Sequence, residues 1–400
     1  MKTCVLEVDL ARRVADRAGL GGYDRARIVL RYGHRVIGEV TLPVEEGLLL
    51  GSAIQIAVND SKDLSRRLSA TILEERITAS RTKLPLPTWT LVICTRDRPE
   101  MLRRCLSSVF ATQPTYGQVV VVDNASSSGE TQAVAAEFPV VYVSEDRPGL
   151  NRARLLGARV ASGDVVVYAD DDTVASEGWI EGLLEQFEGA RVGAVTGLTM
   201  PFELETDAQE LFEVYGGFGK GFERREYELA SLSPSNAGAV GSGANMAFRR
   251  DLILSEGLFE PKLDLGTPSK TGGDTYALYR IMRAGFRVVY TPDALNWHVH
   301  RRTREELRRT LAGYGTGLYT FLLKNLVEDR ELAALRVGLR WFRIHHVREL
   351  LRSIARRPNR LPVDVIMAEI RGTFAAPFAY ASTRRVERAA RAAAAEEDAA

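Results

Sequence analysis

Residues 170–172 are three consecutive aspartates, and they close the apolar run Val165-Val166-Val167-Tyr168-Ala169. Alternate side chains of an extended chain share a face, so Asp170 and Asp172 are expected to converge while Asp171 points away. Three adjacent carboxylates repel one another, and at the end of a buried strand that repulsion calls for a counter-charge. A hard divalent cation, Mg²⁺ or Mn²⁺, suits the position. It takes oxygen ligands from one or two carboxylates and keeps places for water and a substrate phosphate. The plainer alternative is a solvated acidic turn, and the apolar strand in front of the triplet favours the metal.

Further polar clusters follow the same placement. From Trp89 onward, strand-like stretches at 90–94, 119–122, 140–143, 165–168 and 192–196 alternate with helical stretches at 99–110, 131–137, 150–161 and 177–187. This is the pattern of a βαβ sheet, in which ligands collect beyond the carboxyl ends of the strands. Thr95-Arg96-Asp97-Arg98 follows the first of these strands, Asp123-Asn124-Ala125-Ser126 the second, Glu145-Asp146-Arg147 the third and the aspartate triplet the fourth. Four such clusters form one rim. Downstream, Asp274 opens a helical stretch, where an aspartate is an ordinary N-cap, and His298 and His300 flank Val299 so that one strand can put both on one face.

Around this core the chain divides into three. Residues 1–85 read as a small β-rich module, with two strands joined at Gly33 and a helix over 61–80; 86–300 carry the alternating pattern; 301–400 are helical and basic, with fifteen Lys/Arg against six Asp/Glu in 301–360. Residues 202–240 break the rhythm with Phe212, Tyr215, Phe218 and Phe222, and read as a lid or a long loop with its own small core. The basic amphipathic stretch near Trp341 and Phe342 suits the interface of an anionic membrane or plain packing on the catalytic domain.

The whole-chain balance of 53 Lys/Arg against 52 Asp/Glu gives no ground for a nucleic-acid partner. Cys4, Cys94 and Cys105 have neither paired number nor CxxC spacing, which points to a reducing compartment, with the cytoplasm as the expectation. No signal-peptide core or membrane-spanning apolar run is seen.

Thr95-Arg96-Asp97-Arg98-Pro99, Val122-Asp123-Asn124-Ala125-Ser126, Gly149-Leu150-Asn151-Arg152-Ala153-Arg154, Asp170-Asp171-Asp172 and Gly273-Asp274 together resemble, in order and spacing, the family 2 glycosyltransferases of the GT-A fold. The resemblance covers about 89–300. It implies an α/β fold with a mostly parallel Rossmann-like sheet, a small N-terminal β-rich module and a C-terminal helical region. It also implies an inverting, metal-dependent transfer of sugar from a nucleotide-sugar donor, most commonly a UDP-sugar, to an acceptor hydroxyl on a sugar, lipid-linked glycan or small molecule. By the resemblance, Thr95, Arg96, Arg98, Asp123, Asn124, Arg154, Asp170, Asp171 and Asn245 would bind the donor, Asp172, Asp170 and His298 the metal, and Asp274 would be the general base. Two positions depart from the family pattern: Leu155 stands for its asparagine and Gly273 for its usual glutamate. A nucleotidylyltransferase of related fold and a non-catalytic nucleotide-sugar sensor or scaffold are the alternatives.

Overall fold

The computed structural model of the chain describes residues 2–78, 85–112 and 117–397, with side chains in the last helix described to residue 385. The end of the helix expected over 61–80 therefore lies outside the described residues.

The N-terminal sheet comprises β1 (Thr3–Asp9), β2 (Arg25–Tyr32) and β3 (Arg35–Pro43), with β2 parallel to β1 and antiparallel to β3. Gly33, at φ +59°, makes the turn between β2 and β3. Period-two alternation gives β2 two buried faces. Ala26, Ile28 and Leu30 pack beneath α1 (Gly51–Asp60) and α2 (Lys62–Thr78), while Val29 packs with Leu198, Met200, Tyr290 and Trp297 of the large sheet. The module is thus an α/β layer, richer in helix than its strand-like sequence suggests. Its helix α1 was hidden because Leu48-Leu49-Leu50 and Ile54-Gln55-Ile56 read equally well as strand.

Among the described residues nine strands form the large sheet. They are β4 (Trp89–Thr95), β5 (Gln118–Asn124), β6 (Val141–Glu145), β7 (Val165–Asp170), β8 (Thr173–Ala175), β9 (Val192–Pro201), β10 (Arg225–Tyr227), β11 (Met246–Arg249) and β12 (Arg287–His298). Their order is β10-β12-β9-β11-β7-β4-β5-β6, with β8 laid on β12. The pairs β4–β5, β4–β7, β5–β6 and β9–β12 are parallel, whereas β11, β10 and β8 run against their neighbours.

Every residue of β4 is buried, as expected of a central parallel strand. Leu91 and Ile93 face α3 (Pro99–Ala111) through Leu102 and Leu106, and Val92 and Cys94 face the opposite layer. α4 (Glu130–Ala135) packs on the α3 side through Val134 and Ala135, whereas α5 (Leu150–Val160) belongs to the opposite layer, seated on the sheet at Gly157, where a β-carbon would collide with Val92. The close seat brings Arg154, one turn earlier, over the strand ends.

The remaining helices are α6 (Trp179–Leu184), α7 (Asp207–Tyr215), α8 (Arg250–Ser255), α9 (Gly273–Arg283), α10 (Arg304–Val327), α11 (Ala333–Trp341), α12 (Glu349–Ile354) and α13 (Val363–Glu397). A π-helical turn, Phe342–Arg348, joins α11 to α12. The segment expected to be a lid or long loop holds α7, opened by a capping box between Thr206 and Gln209. Its apolar face packs Ala208 and Phe212 against Leu307 and Leu311 of α10. At the crossing of α10 and α13, a β-carbon on Gly372 would strike the Ala312 carbonyl, so the small residue sets the helix separation. Among the described residues, no helix is long and apolar enough to cross a membrane.

Candidate active site

Strand β7 ends at Asp170, and the chain turns at once through Asp171 and Asp172 into β8. The triplet is therefore a tight turn and not an extended alternation, yet the expected convergence holds by another route. Register pairs Thr173 with His298, and the Asp172 carbonyl accepts from the Val299 N–H at 2.9 Å, which fixes β12 against the turn. One ligand atom each from Asp170, Asp172 and His298 lies within 4.8 Å of the others. Asp171 turns away, accepting from Thr95 Oγ1 at 2.8 Å and Arg98 Nη1 at 2.9 Å.

Protein cations supply part of the counter-charge that the sequence calls for. Asp172 Oδ2 lies 3.3 Å from both Arg98 and Arg301. Burial pushes the Asp172 carboxyl up, but the charges of His298, Arg301 and Arg98 outweigh it and hold the group well below the usual carboxylate range. Asp170 moves the other way. Burial, then repulsion from Asp172, raises it to about 6 despite the nearby guanidinium of Arg154. Asp171 is also raised, by burial first and Asp172 second.

The donor set fits a divalent cation on one specific observation. Asp172 Oδ1 is buried without a hydrogen bond among the described residues and faces His298 Nε2 at 3.1 Å. A lone carboxylate oxygen opposite an imidazole nitrogen needs one positive charge between them, a proton or a metal. Two carboxylates and one imidazole suit Mn²⁺ or Mg²⁺.

These groups open on a cavity of about 540 Å³. Thr95, Arg96, Arg98, Asn124, Arg154, all three aspartates, Asp274, His298 and His300 line it. Two expected donor-binding residues do not. Asp123 is buried at the end of β5, where its carboxylate accepts from Tyr142 Oη at 2.8 Å and the Ser126 N–H at 3.3 Å. Asn245 is fully buried: its amide takes the Trp179 indole N–H at 2.9 Å and donates to the carbonyls of Leu198 and Ala294 at 3.0 and 2.8 Å. That saturates three of its four hydrogen-bonding sites with the fold's own groups. Asn124 faces the cavity but spends its side chain on the Gly149 N–H and the Arg147 carbonyl, at 2.8 and 3.0 Å, pinning the start of α5.

Asp274 sits in the first turn of α9, which is capped by Gly272 in the left-handed region and not by a side chain. Oδ1 accepts from the Thr275 N–H at 2.7 Å and Oδ2 from the Gly243 N–H at 2.8 Å, so the carboxylate braces its own helix and the glycine-rich wall at once. Several functional neighbours escaped sequence reasoning. Asp264, in an irregular loop at φ +83°, accepts from Arg154 Nη1 at 2.7 Å. Arg301 directly follows the histidine pair, and its position beside His300 was the available signal. At Gly273, a β-carbon would collide with Asn151 and Asp264, which fill the volume a side chain from that position would need.

The sequence model described as Glycosyl transferase family 2 matches residues 90–255. The glucosyl-dolichyl phosphate glucuronosyltransferase of Haloferax volcanii is 25% identical over 310 residues, which is 72% of this chain and 94% of that protein. An N-acetylglucosaminyltransferase of Bradyrhizobium diazoefficiens is 28% identical over 225 residues, 51% of this chain; the chain spans only 43% of that relative's length. Among solved structures, a mannosyltransferase from Pyrobaculum calidifontis in complex with GDP-Man and Mn²⁺ is 18% identical, covers 85% of this chain and 87% of its own, and superposes with a TM-score of 0.44. Residues 90–255 of this chain, with the aspartate triplet near their middle, form a family 2 glycosyl transferase domain.

Proposed function

We propose that the protein is an inverting glycosyltransferase that moves a sugar from a nucleoside-diphosphate donor to an acceptor hydroxyl. The observation that carries the reading is the convergence of Asp170, Asp172 and His298 on one point of a cavity that Asp274 also lines. Asp170, Asp172 and His298 would hold Mn²⁺ or Mg²⁺, which when bound would neutralise charge on the departing nucleoside diphosphate. Arg98 and Arg301 are about one-third exposed beside Asp172 and have N–H groups to offer phosphate oxygens. Thr95 and Arg96 also line the cavity and would meet the nucleoside. Buried Arg154 holds Asp264 in place and lies 3.8 Å from Asp170, orienting that carboxylate. Asp274, which lines the cavity while accepting from two backbone N–H groups, would take the acceptor proton.

Thermal shift of the full chain with UDP, GDP or CDP, each with Mn²⁺, with Mg²⁺ and without metal, tests the reading. One nucleotide should raise the melting temperature only when metal is present. At a hundredfold excess over its dissociation constant, a ligand stabilises by about 2.7 kcal/mol. No stabilisation by any nucleoside diphosphate with either Mn²⁺ or Mg²⁺ would remove the proposal, and binding without slow donor hydrolysis would leave a sensor in its place.

The acceptor we propose is lipid-linked and met at an anionic membrane surface, on the cytoplasmic side where Cys4, Cys94 and Cys105 stay reduced. Leu332, Leu335, Leu339, Val347, Leu351 and Ile354 are all exposed and recur at helical spacing from the start of α11 to the end of α12. Nine arginines lie within 330–360 against only Glu331 and Glu349. An exposed apolar stripe with arginine flanks suits the headgroup boundary of a bilayer. The Haloferax relative, by its name, acts on a dolichyl-phosphate-linked sugar. The protein should sediment with phosphatidylglycerol vesicles at low salt and come off at high salt, and Leu339→Glu with Leu351→Glu should abolish the binding. A protein that stays in the supernatant with such vesicles has no such surface.

A further inference from the structure

The N-terminal module reaches the aspartate–histidine cluster through an unbroken line of polar contacts. Arg27 of β2 is held by Glu39 of β3 at 2.7 Å and reaches across to Glu213 of α7 at 2.6 Å. Glu213 Oε1 lies 2.9 Å from His300 Nε2, and His300 Nδ1 lies 2.9 Å from His298 Nδ1. The line ends at Asp172 Oδ1, 3.1 Å beyond His298 Nε2. The histidine side chains are almost completely buried, and those of Arg27 and Glu213 retain less than one-fifth of their exposure.

The direction of the protons follows from what each group can donate. Arg27 has only donors, so Glu213 faces it as an ionised acceptor. Burial raises the Glu213 carboxyl, but His300 and Arg27 overcome this and hold it below its usual range. An ionised Glu213 takes its second hydrogen bond from His300 Nε2–H, which leaves Nδ1 of the neutral ring as an acceptor. The two Nδ1 atoms of His300 and His298 face each other at 2.9 Å, so one of them accepts and the other donates. His298 then donates from its own Nδ1, which leaves its Nε2 as the atom that faces Asp172. Each hydrogen bond orients the next ring, and the last one leaves Nε2 of His298 as the nitrogen that a cation at the site would meet.

We infer that Arg27, Glu213 and His300 are positioning residues that set the tautomer and orientation of His298 for a divalent cation, so that the N-terminal module completes the metal site from outside the transferase domain. The inference rests on the metal reading of Asp170, Asp172 and His298. A neighbouring ion pair shows what a purely structural contact would look like. Arg25 of the same strand meets Glu210 of the same helix at 3.1 Å and touches neither histidine. Both pairs dock the module on α7, and only one leads inward.

The test is the affinity of the full chain for Mn²⁺ alone, read from the electron paramagnetic resonance signal of free Mn²⁺, together with a melting curve for each variant. Arg27→Met and Glu213→Gln should weaken Mn²⁺ binding by roughly ten- to a hundredfold, the usual effect of removing a group that orients a metal ligand. Arg27→Lys should recover part of the loss. Arg25→Met should cost stability comparable to Arg27→Met and leave the Mn²⁺ affinity within about twofold of the native value, whereas a loss there as large as in Arg27→Met would reduce the line to docking and overturn the inference. Asp172→Asn separates this inference from the reading beneath it. If Asp172→Asn loses Mn²⁺ while Arg27→Met and Glu213→Gln keep it, the metal site stands and the relay is overturned; if Asp172→Asn binds as tightly as native, the metal site and the relay fall together.

Discussion

Asp274→Asn should lower the rate of sugar transfer by about 10²- to 10⁴-fold, the range associated with loss of a general base, with donor affinity unchanged. The substitution keeps size and shape but removes the group able to take a proton. It also leaves one oxygen where two now accept backbone N–H bonds from Thr275 and Gly243. A net loss of about 1 kcal/mol in stability is therefore expected, too small to empty the folded state. Single-turnover transfer and nucleotide titration on the same preparation separate the two effects. Turnover within tenfold of native would strip Asp274 of its proposed role and leave it as a brace between α9 and the Gly243 segment.

Arg154→Met should produce the largest loss of stability of any single change at the site, about 3–5 kcal/mol, because removing one partner strands a buried charge. Arg154 is 4% exposed on its side chain and Asp264 7%, so neither has water to fall back on. Burial raises the Asp264 carboxyl, and the charge of Arg154 is the main force opposing that rise. The double variant Arg154→Met with Asp264→Asn should recover much of the loss by discharging the stranded group. Denaturant unfolding of the two single variants and the double gives the coupling directly. Additive losses would mean that the 2.7 Å contact contributes little and that burial of Arg154 itself sets the cost.

The regular half of the molecule was legible because its physics is local. Buried parallel strands are continuous apolar runs, and β4, β5 and β7 fall within about a residue or two of where Thr90–Cys94, Val119–Val122 and Val165–Tyr168 place them. Capping boxes at Thr206/Gln209 and Thr303/Glu306 open α7 and α10, and the first of them starts a helix inside the segment expected to be a lid or loop. Other features depend on distant neighbours and leave no periodic trace. Asn245 sits among small residues that suggest a close approach to ligand, but the indole of Trp179, sixty-six positions earlier, claims its amide oxygen. Asp264 lies in irregular chain between α8 and α9, where nothing announces that Arg154 waits 110 residues upstream. The histidine pair showed a shared face in sequence, while the partner that orders it, Glu213, lies 87 residues before His300.

The module's seat on the large sheet has a practical consequence for anyone trimming the chain to its matched domain. Val29 and Val36 roof over Leu198, Met200, Tyr290, Leu295 and Trp297, an apolar floor on the underside of β9 and β12. A fragment beginning at Trp89 would present that floor to water as a broad sticky patch, and clumping at moderate concentration would be the first symptom. Preparations meant to retain the catalytic half in workable form should keep the first seventy-eight residues attached.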